Sequence, residues 1–235
     1  MKRDVLIERF FTVLTGGDRV GARAILDEIL DADCPAERVL TRLFWPTLEH
    51  IQKLYRADQL SELAHNYATR LMRALAEQMQ LRLSQAPRRD MSVLVACGTD
   101  QGEELGALIS ADLLEAEGYN VFFVGGGIAN DELVEQINQV QPNILVMFGA
   151  IPATVPLTRL LIDRLRGIGA CPQTQIVVGG GVFNRAEGLA EEIGADLWAQ
   201  DPEELVNVII ENPQRRMSAD QRTVGRKRRP RRDAA

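Results

Sequence analysis

From residue 91 onward the chain repeats one unit: a short unbroken apolar run, a stop at glycine, then a helix-period segment. The runs are Ser92–Cys97, Tyr119–Val124, Ile144–Phe148, Gln175–Val178 and Asp196–Ala199. Apolar runs of this length that do not alternate with polar residues suit strands buried on both faces. The segments between and after them predict helices over 102–117, 130–140 (with Asn130 as its cap), 155–168, 184–193 and 202–210. Five strands alternating with five helices imply an α/β, doubly wound parallel sheet. Right-handed crossovers gather the strand C-termini on one edge, where ligands of such sheets bind. The loops of unusual composition, 98–106, 125–130, 148–154 and 179–184, all belong to that edge.

Residues 1–86 read differently. Val5, Leu6, Phe10, Val13 and Leu14 recur at helical spacing until Gly16-Gly17, and Asp18 is an N-cap for a second helix through Leu30. Asp33-Cys34-Pro35 breaks that helix, and Pro35 suits the first turn of a third, which Pro46 should kink. A fourth starts near Ser61 and carries Leu63, Tyr67, Leu71, Leu75 and Met79 along one face. Four helices with short joints predict a four-helix bundle. The expected organisation is a helical cap over 1–86, a linker at 87–90, the sheet domain over 91–211, and a disordered basic tail over 212–235.

The tail has nine basic residues and two acidic ones, so a net charge of −6 divides into +7 on the tail and −13 on the remainder. Such a layout suits an arm that finds DNA or an acidic protein by charge, or a solvated tail with no target. No aromatic residue interleaves the basic run to stack on bases. No apolar stretch has the roughly 18–20 residues that cross a bilayer, and the N-terminus lacks the pattern of a signal peptide. Three scattered cysteines without a CxxC or Cys/His cluster read as free thiols of a cytoplasmic protein.

The edge loops exclude several chemistries. GTDQGEELG over 98–106 is neither a dinucleotide fingerprint nor a phosphate loop. Glu103 and Glu104 would repel a pyrophosphate there. Asp100 alone does not build the magnesium site of a phosphorylated receiver domain. His50 and His65 are the only histidines, both in the helical half, and no Gly-x-Ser-x-Gly elbow is present. Gly179, Gly180 and Gly181 follow a strand directly and strip the backbone of Cβ atoms. They suit close approach by a flat ligand or its appended group, or a tight turn.

A helical bundle followed by this module resembles the cobalamin-binding proteins, among them the corrinoid carriers of methyltransferase systems and light- or redox-responsive transcriptional regulators. The resemblance covers nearly residues 5–210. It is best over ELGALISADLLEAEGYNVFFVGGGIANDELVE (104–135), IVVGGG (176–181) and EEIGADLWAQDPEELV (191–206). It implies a Rossmann-like, flavodoxin-like sheet with IVVGGG against the cofactor's nucleotide tail. The family's DxHxxG after the first strand supplies a His as lower cobalt ligand and an Asp that holds it. Aligned on Gly106, those positions are Glu103 and Gln101. A carboxylate is a poor partner for soft, low-valent cobalt and does not replace an oriented neutral imidazole. The family's Ser-x-Leu after the third strand aligns with Phe148-Gly149-Ala150, which puts a bulky ring where a serine meets the displaced tail base. In the helical half, the regulators carry a Trp and then a Glu-His pair above the corrin. Those positions here are Tyr55 and Ala64-His65. His65 is thus a candidate upper-face metal ligand or a satisfied helix histidine, and Tyr55 a stacking face or plain core. Trp45 reads as core and His50 as surface.

The expected function is a non-catalytic sensor or regulator, forming a homo-oligomer, that binds cobalamin or another tetrapyrrole between cap and sheet. The alternatives are a corrinoid carrier of a methyltransferase system and a ligand-free scaffold.

Overall fold

The computed structural model describes residues 3–169 and 171–217. Of the tail expected to be disordered over 212–235, residues 212–217 are described and held on the sheet domain: Gln175 Nε2 donates to Asn212 O (2.8 Å) and Arg215 O (2.9 Å), and Arg216 Nε donates to Gln173 O (3.1 Å). The remainder of the tail, beyond Met217, lies outside the described residues. Five helices come first: α1 (Arg3–Thr15), α2 (Arg19–Leu30), α3 (Ala36–Val39), α4 (Trp45–Arg56) and α5 (Glu62–Gln80). Asp18 and Ser61 cap α2 and α5 through their side chains, accepting from Gly21 N and Ala64 N. A single π-helical turn, Leu40–Phe44, joins α3 to α4, so the two run as one irregular helix. Pro46 explains the irregularity. It has no N–H for the carbonyl of Arg42, and the ladder widens until Trp45 N–H reaches Leu40 O. The Arg42 carbonyl accepts from Arg3 Nε at 3.4 Å instead.

The second half is the expected α/β layer structure. Strands β1 (Ser92–Cys97), β2 (Asn120–Gly125), β3 (Ile144–Phe148), β4 (Gln175–Gly179) and β5 (Leu197–Ala199) form a parallel sheet of order β2-β1-β3-β4-β5. Helices α6 (Gln101–Ala116), α7 (Asn130–Val140), α8 (Thr154–Gly167) and α11 (Pro202–Glu211) connect or follow them. Two expectations are corrected. The predicted helix over 184–193 is two short helices, α9 (Gly181–Arg185) and α10 (Leu189–Glu192), separated by Gly188 at φ +84°. Asn130 does not cap α7. Ala129 holds the cap position, and the Asn130 amide donates to Leu157 O at 3.0 Å.

Strand alternation sorts the core into two faces. Val93, Val95, Ile144, Val146, Phe148, Val177 and Leu197 face α6, α11 and the helical cap, in one apolar cluster that runs from cap into sheet. Leu94, Ala96, Leu145, Met147, Ile176 and Val178 face α7 and α8. The cap is therefore docked through a shared hydrophobic core, and the C-terminal edge of the sheet lies partly beneath it. No described helix is long and apolar enough to cross a membrane.

Candidate functional site

The start of α6 is organised by Asp100, whose carboxylate accepts from Gly102 N (2.8 Å) and Glu103 N (3.2 Å) as an N-cap. Glu103, two residues into the helix, is 0% exposed. Its Oε1 accepts from Ala150 N (2.5 Å), Ile151 N (2.8 Å) and Thr154 Oγ1 (2.8 Å), and its Oε2 lies 3.0 Å from the same hydroxyl. The carboxylate thus ties α6 to the loop between β3 and α8. Burial pushes its pKa up, while the N–H groups of Ile151 and Ala150 and the Thr154 hydroxyl act the other way.

Phe148 ends β3 and is 2% exposed. Its ring meets Trp45 edge-on, with centroids 5.8 Å apart at 89°. Trp45 is buried core, as expected. Three glycines form the walls around the Phe148 ring. A Cβ on Gly106 would lie 2.5 Å from it; one on Gly180 would meet the Gly149 carbonyl first (2.3 Å) and the ring at 3.0 Å, and one on Gly179 would meet Leu205 at 3.1 Å and the ring at 3.4 Å. The missing side chain of Gly106 is therefore space that Phe148 fills, and the ring also touches the backbone stretch of Gly179 and Gly180. The remaining cavity there, about 50 Å³, is lined by Trp45, Gln52, Gly102, Phe148, Gly181 and Arg185 among others.

Cap and sheet meet in a seam of amides and hydroxyls. Thr69 Oγ1 donates to Gln101 Oε1 at 2.8 Å, and Gln101 Nε2 donates to Asn66 Oδ1 at 2.9 Å. Gln52 Nε2 donates to His65 Nε2 at 3.0 Å, which leaves the ring proton on Nδ1. The Gln52 amide passes so close to Gly102 that a Cβ there would fall 1.8 Å from its nitrogen. Tyr55 stacks on His65 with centroids 4.0 Å apart and planes at 15°. His65 is 4% exposed, and burial lowers its pKa, so its neutral form prevails at pH 7. His50 is exposed and meets Phe11 edge to face.

The structure thus brings Tyr55, His65 and Gln101 into one seam, and Glu103, Gly106, Phe148, Gly149, Gly179 and Gly180 into the adjoining edge. Gly181, at the start of α9, packs against the Arg185 side chain. As a metal ligand His65 would first have to release Gln52, which holds its Nε2 lone pair. Sequence reasoning missed Gln52, Asn66, Thr69 and Thr154. These are polar residues on helices whose only distinction is the side chain each meets from another element. Asp100 could have been found, since Asp100-x-x-Glu103 has the spacing of a capping box. Among the described residues no group of three or more His, Cys, Asp and Glu side chains could hold a metal ion.

Two models of the same description, B12 binding domain, match this chain in the order of its architecture: one over residues 6–78 and one over 91–207. The chain belongs to the B12-binding domain family. Its relatives include trimethylamine corrinoid protein 2 of Methanosarcina acetivorans, 28% identical over 117 residues, a match that spans 49% of this chain and 53% of the relative. The trimethylamine corrinoid protein of Methanosarcina barkeri is 21% identical over 211 residues, 87% of this chain and 94% of that one. The solved monomethylamine corrinoid protein of Methanosarcina barkeri superposes with a TM-score of 0.75 at 18% identity, covering 89% of this chain and 99% of that chain, which shows the shared fold. Cobalamin or a related corrinoid is accordingly the cofactor of this B12-binding fold.

The residues fit that cofactor in one part and not in another. A corrin ring is rimmed with carboxamides, and the Gln52, Asn66, Gln101 and Thr69 seam, whose members here hydrogen-bond one another or His65, carries amide and hydroxyl groups of matching chemistry beside the Tyr55–His65 stack. The groove implied for the nucleotide tail is filled by Phe148, and the position implied for the lower ligand holds a buried carboxylate turned into the 150–154 loop.

Proposed function

We propose that this B12-binding chain is a corrinoid carrier that presents the cofactor, held between cap and sheet, to separate methyltransferase enzymes. The single observation that carries this reading is that the likeness to a protein named as a trimethylamine corrinoid protein runs through both B12-binding segments, over 87% of this chain and 94% of that one. Relatives named as corrinoid proteins of methylamine systems support the carrier over the sensor that the sequence first suggests. In such a protein the corrinoid supplies the reactive centre, and the chain's side chains bind and orient it. The seam residues Gln52, His65, Asn66, Thr69 and Gln101 would contact the ring's rim as cap and sheet part to admit it. The homo-oligomer and the target of the basic tail rest on sequence alone.

Hydroxocobalamin added to the purified protein should stay with it through desalting, at about one corrinoid per chain, with a shifted visible spectrum. Loss of all colour would overturn the reading. Illumination of the alkylcobalamin-loaded protein should leave its oligomeric state unchanged by light scattering. A light-driven change would return the sensor to first place.

A further inference from the structure

We propose that this chain recognises the corrin macrocycle alone and leaves the nucleotide loop of the cofactor outside the fold. The inference rests on the corrinoid reading above and narrows its ligand class. Two observations carry it.

The groove lined by Gly106, Gly179 and Gly180 already has an occupant. Phe148 fills it at 2% exposure, with Trp45 edge-on behind the ring. The Phe148 backbone is fixed by pairing with Gly179 across β3 and β4 and with Cys97 across β1 and β3. Swinging the ring out would expose one of the largest fully buried side chains of the molecule. An aromatic base therefore competes with a side chain that the fold itself holds in place.

Finally, the loop after β1 offers the cobalt no lower ligand. Both oxygens of Glu103 are engaged by Ala150, Ile151 and Thr154, and a carboxylate is a hard donor that low-valent cobalt ranks below imidazole. A corrinoid held here keeps its own base on cobalt, or has none. Cobalamin and tail-less cobinamide present the same upper face and carboxamide rim, so a site that reads only these binds both alike.

The test is equilibrium binding of the full chain to hydroxocobalamin and to diaquocobinamide, followed by visible absorbance. The two dissociation constants should agree within about threefold. In the reduced Co(II) complex with cobalamin, electron paramagnetic resonance should show splitting from the cofactor's own benzimidazole nitrogen. Isotopic labelling of the protein's histidine nitrogens should leave that splitting unchanged. A preference for cobalamin of about tenfold or more, a base-off spectrum, or a histidine-derived splitting overturns the inference while the corrinoid reading stands. Retention of neither corrinoid overturns both. Phe148→Ser should open the groove and create a cobalamin preference of about tenfold. If a folded Phe148→Ser still binds both corrinoids alike, the ring is not what excludes the tail and the inference fails. If that variant does not fold, the wild-type ratio and spectrum decide alone.

Discussion

The two sides of the sheet's C-terminal edge, built from the same strands, end in opposite ways. On the cap side, β3 delivers Phe148 into a glycine-walled groove and leaves about 50 Å³. One residue earlier the same strand points Met147 to the other side. There a groove of about 400 Å³ stays open between α7 and α8, lined by Ala96, Ile128, Leu133, Ile151 and Leu157 among others. Both sides are flanked by stripped loops, Gly179-Gly180-Gly181 on one and Gly125-Gly126-Gly127 near the other. Glycine therefore marks where backbone can be approached closely, and the neighbouring side-chain volume decides whether a ligand or the protein itself makes the approach.

The sharpest way to break this comparison is to empty the filled side. Phe148→Ala should cost about 3–5 kcal/mol in chemical denaturation. A cost below about 1 kcal/mol would show that the ring is not packed there.

The next effect concerns Asp112, on the cap-facing helix α6. It is 8% exposed, its Oδ2 has no hydrogen-bond partner among the described residues, and burial, with Glu115 and Glu77 adding to it, raises its pKa to about 7. The folded state then holds a proton that the unfolded state releases near pH 4. This contribution to stability is complete below pH 4 and is lost as pH rises through about 7. Asp112→Asn should therefore flatten the fall in stability across that window. It should add about 3 kcal/mol at pH 8, somewhat under the full linkage value because the side chain keeps some solvent contact. At pH 4 it should add little. A wild-type stability that rises from pH 4 to pH 7, with no effect of the substitution, would refute the assignment.

Glu103→Ala removes the acceptor of two backbone N–H groups and one hydroxyl, and should cost about 2 kcal/mol. Glu103→Gln keeps one acceptor oxygen and should cost less. Faster amide exchange at Ala150 and Ile151 would locate the loss. Leu157→Ser on the open side should stay within about 0.5 kcal/mol, since Leu157 is already 59% exposed. A cost like that of Phe148→Ala would mean that the open groove is packed in solution.

Much of this was legible from the chain as written. The change of period at residue 91 gave the sheet and its edge, because a parallel strand must be apolar on both faces wherever helices cover it. The family segments gave the cofactor class. The replacements at Gln101, Glu103 and Phe148 could be read one by one, but their consequences could not. Glu103 was seen as a poor cobalt ligand, while its partners at Ala150, Ile151 and Thr154 are some fifty residues away and mostly backbone. The break of the 184–193 helix at Gly188 was hidden because the residues on either side keep a helical pattern. Pro46 announced a disturbance without saying that a π turn would absorb it.

What the sequence by itself determined is the order of layers, the edge where sheets of this kind bind their ligands, and the side-chain types available there. Local pattern suffices for these, since periodicity and turn residues act over a few neighbours. Only the tertiary structure decided that Phe148 and Trp45 meet over Gly106, that Gln52 takes the lone pair of His65, and that the glycine-lined groove is full. Those outcomes depend on which helix packs across which strand and on volumes matched to within a side chain, and no local pattern records them.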